Sequence, residues 1–418
     1  MFQDLKRNNT TMGYTKQTIA GFTWHSALIV GMTIVTGLKL MVLARLLTPH
    51  DFGIFSLVAI ALGVTDALTQ TGINITIIQS QQSVSYFINT AWVISILRGF
   101  VIAIVMSLLG VGMAYFYAEP SLQLWVVIAA VVPIIKGFIN PAVITFHKEL
   151  QFSRDSAYRF SLIVVEAVVT SLVALVTHSV NAFIVGMVAA AIFEVCISFA
   201  FFRTRPHFEW IPNRAAQIFA NAKGLSIAAL LSYLNDNADN FLVGKLLGVS
   251  TLGLYQNGYA LSHKPTFGIA QAMNHSTMPI FSRLATSGER LHKAFYRSLF
   301  GLTVLLVAVA VPIIIFPELI IRVVLGDTWL SLVPAVPWLV AGAVLYGIAN
   351  QGYTLLVSLQ EYFTMNLHRA LVIILFVGIL FAQGSSAGLV GAAMAVFFAR
   401  LICLPILGWL VVRKLKHT

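Results

Sequence analysis

Charge is scarce in this chain, and cysteine is scarcer. Asp, Glu, Lys and Arg make up 10% of the residues against 58% hydrophobic ones, and the mean hydropathy is +0.87. Soluble domains carry about 25% charged residues. There is too little polar surface here for a water-soluble protein, so lipid is the solvent for much of the chain. Cysteine occurs twice, at Cys196 and Cys403, both inside apolar segments, which excludes a disulfide framework. Catalytic signatures are missing as well. There is no GxxxxGK[ST] for an ATP-driven pump, no HExxH, no clustered Cys/His spacing and no GxSxG. No metal site and no cofactor is expected. Energy, if transport uses any, comes from an H+ or Na+ gradient or from the gradient of the substrate.

Long apolar runs are what the chain has in their place. A membrane helix needs about 20 mostly apolar residues. Twelve segments qualify, near 19–43, 53–75, 88–116, 122–146, 159–178, 182–202, 223–247, 252–280, 296–316, 331–358, 364–382 and 387–412. The runs lack sustained alternation, and only helices or closed barrels satisfy the backbone in lipid. The expected fold is therefore all-α and integral to the membrane, with six helices in residues 1–210 and six in 211–418. The first segment is too long for a signal-peptide core and is read as a retained helix.

An internal repeat supports the division. Residues 45–55 read RLLTPHDFGIF and residues 245–255 read KLLGVSTLGLY. Arg45 matches Lys245, Gly53 matches Gly253 and Phe55 matches Tyr255, at a constant offset of 200. An even number of helices per half makes the two halves parallel. Repeats of this kind bracket a central cleft in transporters, which work by alternating access.

The net charge of +11 is explained by loop position. Between the expected spans, eighteen Lys and Arg lie on the side of the N-terminus, and Arg45, Lys245 and Arg322 lie on the other. The positive-inside rule then puts both termini in the cytoplasm, and nucleic acid is not an expected partner. External loops are short; the longest, FPELIIRVVLGDTW (316–329), is half apolar.

Ten ionisable residues remain inside the spans: Lys39, Arg98, Lys136, Lys264, Arg400, Asp66, Glu166, Glu194, Asp236 and Asp239. Each costs about 2.5–3.5 kcal/mol near the bilayer centre by insertion scales, so each must face protein or water. They either line a polar cleft that handles charged cargo or staple the bundle as ion pairs. Lys39 and Asp239 occupy equivalent positions in the two repeats. They meet across the pseudo-twofold axis, or each pairs within its own half, Asp239 with Lys264 for instance. Pro265 beside Lys264 marks a hinge candidate. His25, His263 and His275 are candidate proton carriers, and HKELQF (147–152) reads as a solvated basic turn.

LARLLTPHDFG (43–53) and DNFLVGKLLGVSTLGLYQNGYAL (239–261) resemble the polysaccharide flippase branch of the multidrug/oligosaccharidyl-lipid/polysaccharide exporter superfamily. TAWVISILRG (90–99), HKELQF and VLGDTW (324–329) look most like its colanic-acid-exporter subgroup. The resemblance covers about residues 15–410. Many members carry two further C-terminal helices, whereas this chain ends after the twelfth expected segment with VVRKLKHT. The resemblance implies a transporter, not an enzyme, that moves a polyprenyl-diphosphate-linked oligosaccharide across a bacterial inner membrane. The sugar diphosphate would enter the cleft while the lipid tail stays in the bilayer. Lys39, Arg98, Lys136 and Lys264 are then the substrate-binding candidates, because cations at depth balance diphosphate. Asp66, Glu166, Asp236 and Asp239 are the candidates for ion coupling or counter-charge. Tyr233, Tyr255 and Tyr259 are candidates for stacking on sugar. A polysaccharide polymerase and glycosyltransferases are candidate partners beside membrane lipid. Two other readings stay open: a multidrug or cation antiporter of the same fold, and a membrane-embedded polymerase or ligase, for which the external loops are short.

Overall fold

Apolar segments of this length close their backbone hydrogen bonds locally, as helices. The computed structural model describes residues 31–149, 151–220, 222–285, 287–383 and 388–416, and contains no strand among them. The helices run α1 (31–46), α2 (Pro49–Leu68), α3 (Ile73–Gln79), α4 (Val84–Tyr117), α5 (Ser121–Ala129), α6 (Val131–Gly137), α7 (Thr145–Lys148), α8 (Phe152–Thr177) and α9 (Asn181–Phe201). They continue as α10 (Pro212–Phe219), α11 (Ala222–Leu247), α12 (Val249–Leu284), α13 (Gly288–Ile315), α14 (Pro317–Val324), α15 (Val336–Ser358), α16 (Tyr362–Gln383) and α17 (Gly388–Lys416).

Among the described residues, eight helices are long and apolar enough to cross a membrane: α2, α4, α8, α9, α13, α15, α16 and α17. The broken run Ser121–Gly137 and Pro141–Lys148, bent by 73°, makes a ninth if it counts as one span. The count of twelve is not reached, and the shortfall has a cause. The first expected segment begins outside the described residues, as does His25. The segments 223–247 and 252–280 are helical in α11 and α12 but too polar to qualify. SYLNDNADN (232–240) and YQNGYALSHK (255–264) carry their hydrogen-bonding groups.

The bend in the broken run is written locally. Pro141 opens a single 3-10 turn, Pro141–Ile144, where its missing N–H costs nothing. Buried Asn140 caps that turn by accepting from the Ala142 amide at 3.0 Å, and its Nδ2 donates to the Thr204 carbonyl at 2.8 Å.

The chain divides into two compact units. The first holds the described residues up to Leu46, Ala61–Ala114 and Pro120–Leu231; the second holds Leu47–Ile60, Tyr115–Glu119 and the residues from Ser232 onward. The stretch 202–211 is non-helical, and the first unit continues past it through α10. In the first unit Ile77, Phe87, Ile94, Ile144 and Ile218 form a core that joins α3, α4, the 3-10 turn and α10. HKELQF is more than a solvated turn. The Lys148 ammonium donates to the carbonyls of Ile77 at 2.8 Å and Ser80 at 2.9 Å, and to that of Gln82. It closes the C-terminal end of α3, where carbonyls lack partners and a cation is favoured.

In the second unit, Phe281, Phe295, Leu355, Leu356 and Leu407 form a core shared by α12, α13, α15 and α17. The start of α2 packs against the start of α12. A Cβ built on Gly53 would lie 2.0 Å from the Val249 carbonyl oxygen, so only glycine permits this approach. Both residues belong to the two copies of the repeat.

Candidate functional site

Each unit contains a cavity into which charged side chains open, and that of the second unit is otherwise mostly apolar. The cavity of the first unit, about 480 Å³, is lined by Asp66, Arg98, Lys136, His147, Arg159 and Glu194, among others. Two glycines build it. α4 and α6 cross where a Cβ on Gly99 would meet the Pro133 carbonyl oxygen at 2.5 Å and one on Gly137 the Ser95 carbonyl oxygen at 2.9 Å. Arg98 and Lys136 each precede one of these glycines, so the close crossing brings both cations to one cavity.

Their engagements differ. Arg98 donates from Nε to the Thr69 carbonyl at 2.7 Å and from Nη2 to the Asp66 carboxylate at 2.6 Å and the Asp66 carbonyl at 3.0 Å. The planar fork thus ties off the C-terminal end of α2, a geometry a lysine lacks. Lys136 lies 3.9 Å from Glu194, beyond hydrogen-bond reach, and its side chain is 52% exposed. Behind it, Arg159 donates from Nε to Asp155 at 2.9 Å and lies 3.1 Å from His147 Nε2.

Lys39 is not among the residues that line this cavity. Its ammonium donates to Glu166 at 2.9 Å, with both side chains largely buried. Each residue thus has a partner within its own unit: Glu166 for Lys39, and Tyr255 and Asn240 for Asp239. Sequence position alone carries no signal for which neighbouring helix a buried cation faces.

The cavity of the second unit, about 500 Å³, is lined by Asp236, Asp239, Tyr259, His263, Lys264 and Arg400 together with Tyr346, Tyr353 and Arg369. Asp239 accepts from the Tyr255 hydroxyl at 2.8 Å and the Asn240 amide at 2.9 Å. Asp236 accepts from Asn235 Nδ2 at 3.1 Å. Arg400 donates from Nη1 to His263 Nε2 at 2.8 Å and to the Gly342 carbonyl at 2.9 Å, and its guanidinium sits 5.0 Å from the centre of the Tyr346 ring. Arginine has no acceptor, so His263 accepts at Nε2 and carries its proton on Nδ1. The ring also stacks on Tyr259 at 3.6 Å. Next to it, Tyr353 and His368 share a 2.8 Å hydrogen bond, and His368 Nε2 donates to the Cys403 carbonyl at 2.9 Å.

Three of the expected site residues, Asp66, Arg98 and Lys136, thus meet in the first cavity, and three others, Lys264, Asp236 and Asp239, in the second. Lys39 and Glu166 hold each other elsewhere. Of the tyrosines, Tyr259 lines a cavity, Tyr255 holds Asp239, and the Tyr233 hydroxyl donates to the Ala59 carbonyl at 3.3 Å. Arg400 and Glu194 were legible only as charges inside spans; their partners come from the packing of α12 with α17 and of α6 with α9. Among the described residues no group of three or more His, Cys, Asp or Glu is placed to hold a metal ion.

Comparison with known proteins agrees with this architecture. The lipopolysaccharide biosynthesis protein WzxC of Escherichia coli K12 is 20% identical over 409 residues, 94% of this chain and 80% of that protein. The fold is shared with the lipid II flippase MurJ in an inward closed conformation, at a TM-score of 0.68 and 11% identity over 94% of this chain and 89% of the other. It is shared also with an inward-facing multidrug resistance MATE family transporter of the MOP superfamily, at a TM-score of 0.60 and 15% identity over 94% and 95% of the two chains. Residues 42–334 match the family described as polysaccharide biosynthesis protein, and the chain belongs to that family.

Proposed function

We propose that the chain is a flippase that moves a polyprenyl-diphosphate-linked oligosaccharide from the cytoplasmic to the outer leaflet of a bacterial inner membrane. The observation that carries this reading is the cation set of the first cavity, where Arg98, Lys136 and Arg159 line one space. A diphosphate leaving water needs charge-assisted hydrogen bonds in exchange. Lys136 supplies them most directly, because its side chain is half exposed and its ammonium is not closed onto Glu194. Lys264, on the cavity of the second unit, keeps its expected role as a substrate-binding cation. Lys39, closed onto Glu166, supports the fold of the first unit.

Family membership and the fold shared with MurJ support the same reading. Transport runs by alternating access between the halves 1–210 and 211–418, with both termini cytoplasmic. A polymerase and glycosyltransferases are the partners such cargo implies. A cation exporter would present deep carboxylates without counter-charges. Here Asp66 and Glu166 are each closed onto a cation and Glu194 has Lys136 at 3.9 Å, while Asp236 and Asp239 accept hydrogen bonds from neutral donors.

The test is the leaflet of the sugar in cells lacking the gene. Lipid-linked oligosaccharide should accumulate with its sugar on the cytoplasmic side, and the intact gene should release it. A charge-assisted hydrogen bond contributes about 1.5–3 kcal/mol, so Lys136→Ala should slow release by about 10- to 100-fold. Normal sugar export with altered tolerance of cationic dyes would replace the flippase reading with drug export.

A further inference from the structure

Three ion pairs of the first unit join ionisable residues of the expected spans, and two are closed. Arg98 reaches Asp66 at 2.6 Å and Lys39 reaches Glu166 at 2.9 Å. The third is open: Lys136 and Glu194 are 3.9 Å apart, with the lysine 52% and the glutamate 20% exposed. This pair borders the cavity that the proposed function assigns to the diphosphate, so cargo phosphate and Glu194 compete for one ammonium. When Lys136 turns to a phosphate, Glu194 loses its nearest counter-charge, keeps only the weaker field of Arg159, and faces new negative charge. A carboxylate stranded at membrane depth is expensive, and a proton from water removes that cost.

We infer that Glu194 is the proton-coupling residue: it takes up one proton when Lys136 transfers its hydrogen bond to cargo phosphate and returns it when the cargo leaves. The inference rests on the proposed function. Lysine stays an ammonium throughout; one N–H···O contact is exchanged for another, and the carboxylate becomes a carboxylic acid.

The surroundings fit a proton better than a metal ion. α6 presents Lys136. α8 presents Arg159, within electrostatic range of Glu194, and Tyr158, whose hydroxyl lies 3.4 Å from the Glu194 backbone carbonyl oxygen. His147 on α7 is held beside Asp155 and Arg159, and Asp66 and Arg98 across the cavity are closed onto each other. α5 brings no titratable side chain. Na+ requires several oxygen ligands, and the charged groups nearest Glu194 are cations that repel it.

The experiment is titration calorimetry of the purified full chain with a short-chain polyprenyl diphosphate, in two buffers of different ionisation heat between pH 6.5 and 8. The wild type should take up about one proton per ligand bound, and its affinity should fall by up to about tenfold per pH unit as pH rises. Glu194→Gln should still bind, with no proton uptake and a flat pH profile. Lys136→Gln should also lose the uptake, because the shared cation is gone, and it keeps the test decisive if Glu194→Gln fails to fold. Glu289→Gln, on a solvent-exposed pair of α13, should match the wild type. Uptake that persists in Glu194→Gln, wild-type binding without uptake, or binding that follows Na+ in place of pH overturns the coupling alone. Failure of the wild type to bind overturns the proposed function and the coupling with it.

Discussion

Gly53 and Gly253 occupy equivalent places in the two copies of the repeat, and in the second unit they pack against each other. A Cβ built on Gly253 would lie 1.8 Å from the Pro49 carbonyl oxygen and 2.8 Å from the Gly53 amide nitrogen. The pairing is reciprocal: Gly53 meets the backbone of Val249, four residues before its counterpart, and Gly253 meets that of Pro49, four residues before Gly53. Two helices related by a repeat approach in this way when an approximate twofold axis passes between them. The contact is backbone on backbone, so no rotamer change can relieve an added methyl group.

Gly253→Ala should therefore be destabilising. Overpacking costs about 1–3 kcal/mol, and rigid backbone on the far side puts this site at the upper end. Gly301→Ala on α13 is the control. Nothing lies within 4 Å of its added Cβ, and alanine is favoured over glycine in a helix by up to about 1 kcal/mol. Thermal unfolding in detergent should rank Gly301→Ala at or above the wild type and Gly253→Ala well below it. Equal melting of the two variants would mean that α2 and α12 are not held in this contact.

Arg400 anchors the second cavity through His263, the Gly342 carbonyl and the face of Tyr346, in the electrostatic field of Asp239. Removing one member of a buried ion pair costs about 3–5 kcal/mol; Arg400 and Asp239 are partly buried and not in direct contact, so the loss here falls below that range. Arg400→Met should melt below the wild type. The double variant Arg400→Met, Asp239→Asn should recover part of the loss, since it removes both charges. Losses that simply add would show that the two residues do not share an electrostatic unit.

Glu361, in the connection between α15 and α16, ties that connection to α17 through the Lys414 ammonium and accepts from the Thr364 hydroxyl at 3.0 Å. These donors hold its carboxyl below the ordinary glutamate value of about 4.5. The sign follows from proton linkage. A group with a lower folded value contributes stability that is complete above its unfolded value and is lost as pH falls through the folded one. Exposure limits the size to about 0.5 kcal/mol. Between pH 7 and 3 the wild type should lose this increment below about pH 4.5, and Glu361→Gln should lack it throughout. A parallel fall in both proteins would assign the acid sensitivity to other groups.

Much of the architecture was legible before any coordinate. Hydropathy alone requires helices in lipid, and the described residues of the expected segments are mostly helical, with breaks inside 53–75, 122–146 and 331–358. The repeat marked the two stretches that meet at Gly53 and Gly253. The span count was less legible, because α11 and α12 place polar residues where they hydrogen-bond inside the second unit, and a hydropathy rule reads those residues as exposed.

What the sequence by itself determined is the class of molecule and the inventory of charges at membrane depth, since both follow from the cost of leaving polar groups in hydrocarbon. What only the tertiary structure decided is who meets whom. A helix that is apolar on most of its circumference carries little record of its rotation, so Lys39 was as free in sequence to face Asp239 as Glu166. Packing within the first unit paired Lys39 with Glu166, the Gly99 and Gly137 crossing brought Arg98 and Lys136 to one cavity, and the approach of α6 to α9 left Glu194 near enough to pair with Lys136 and too far to close on it.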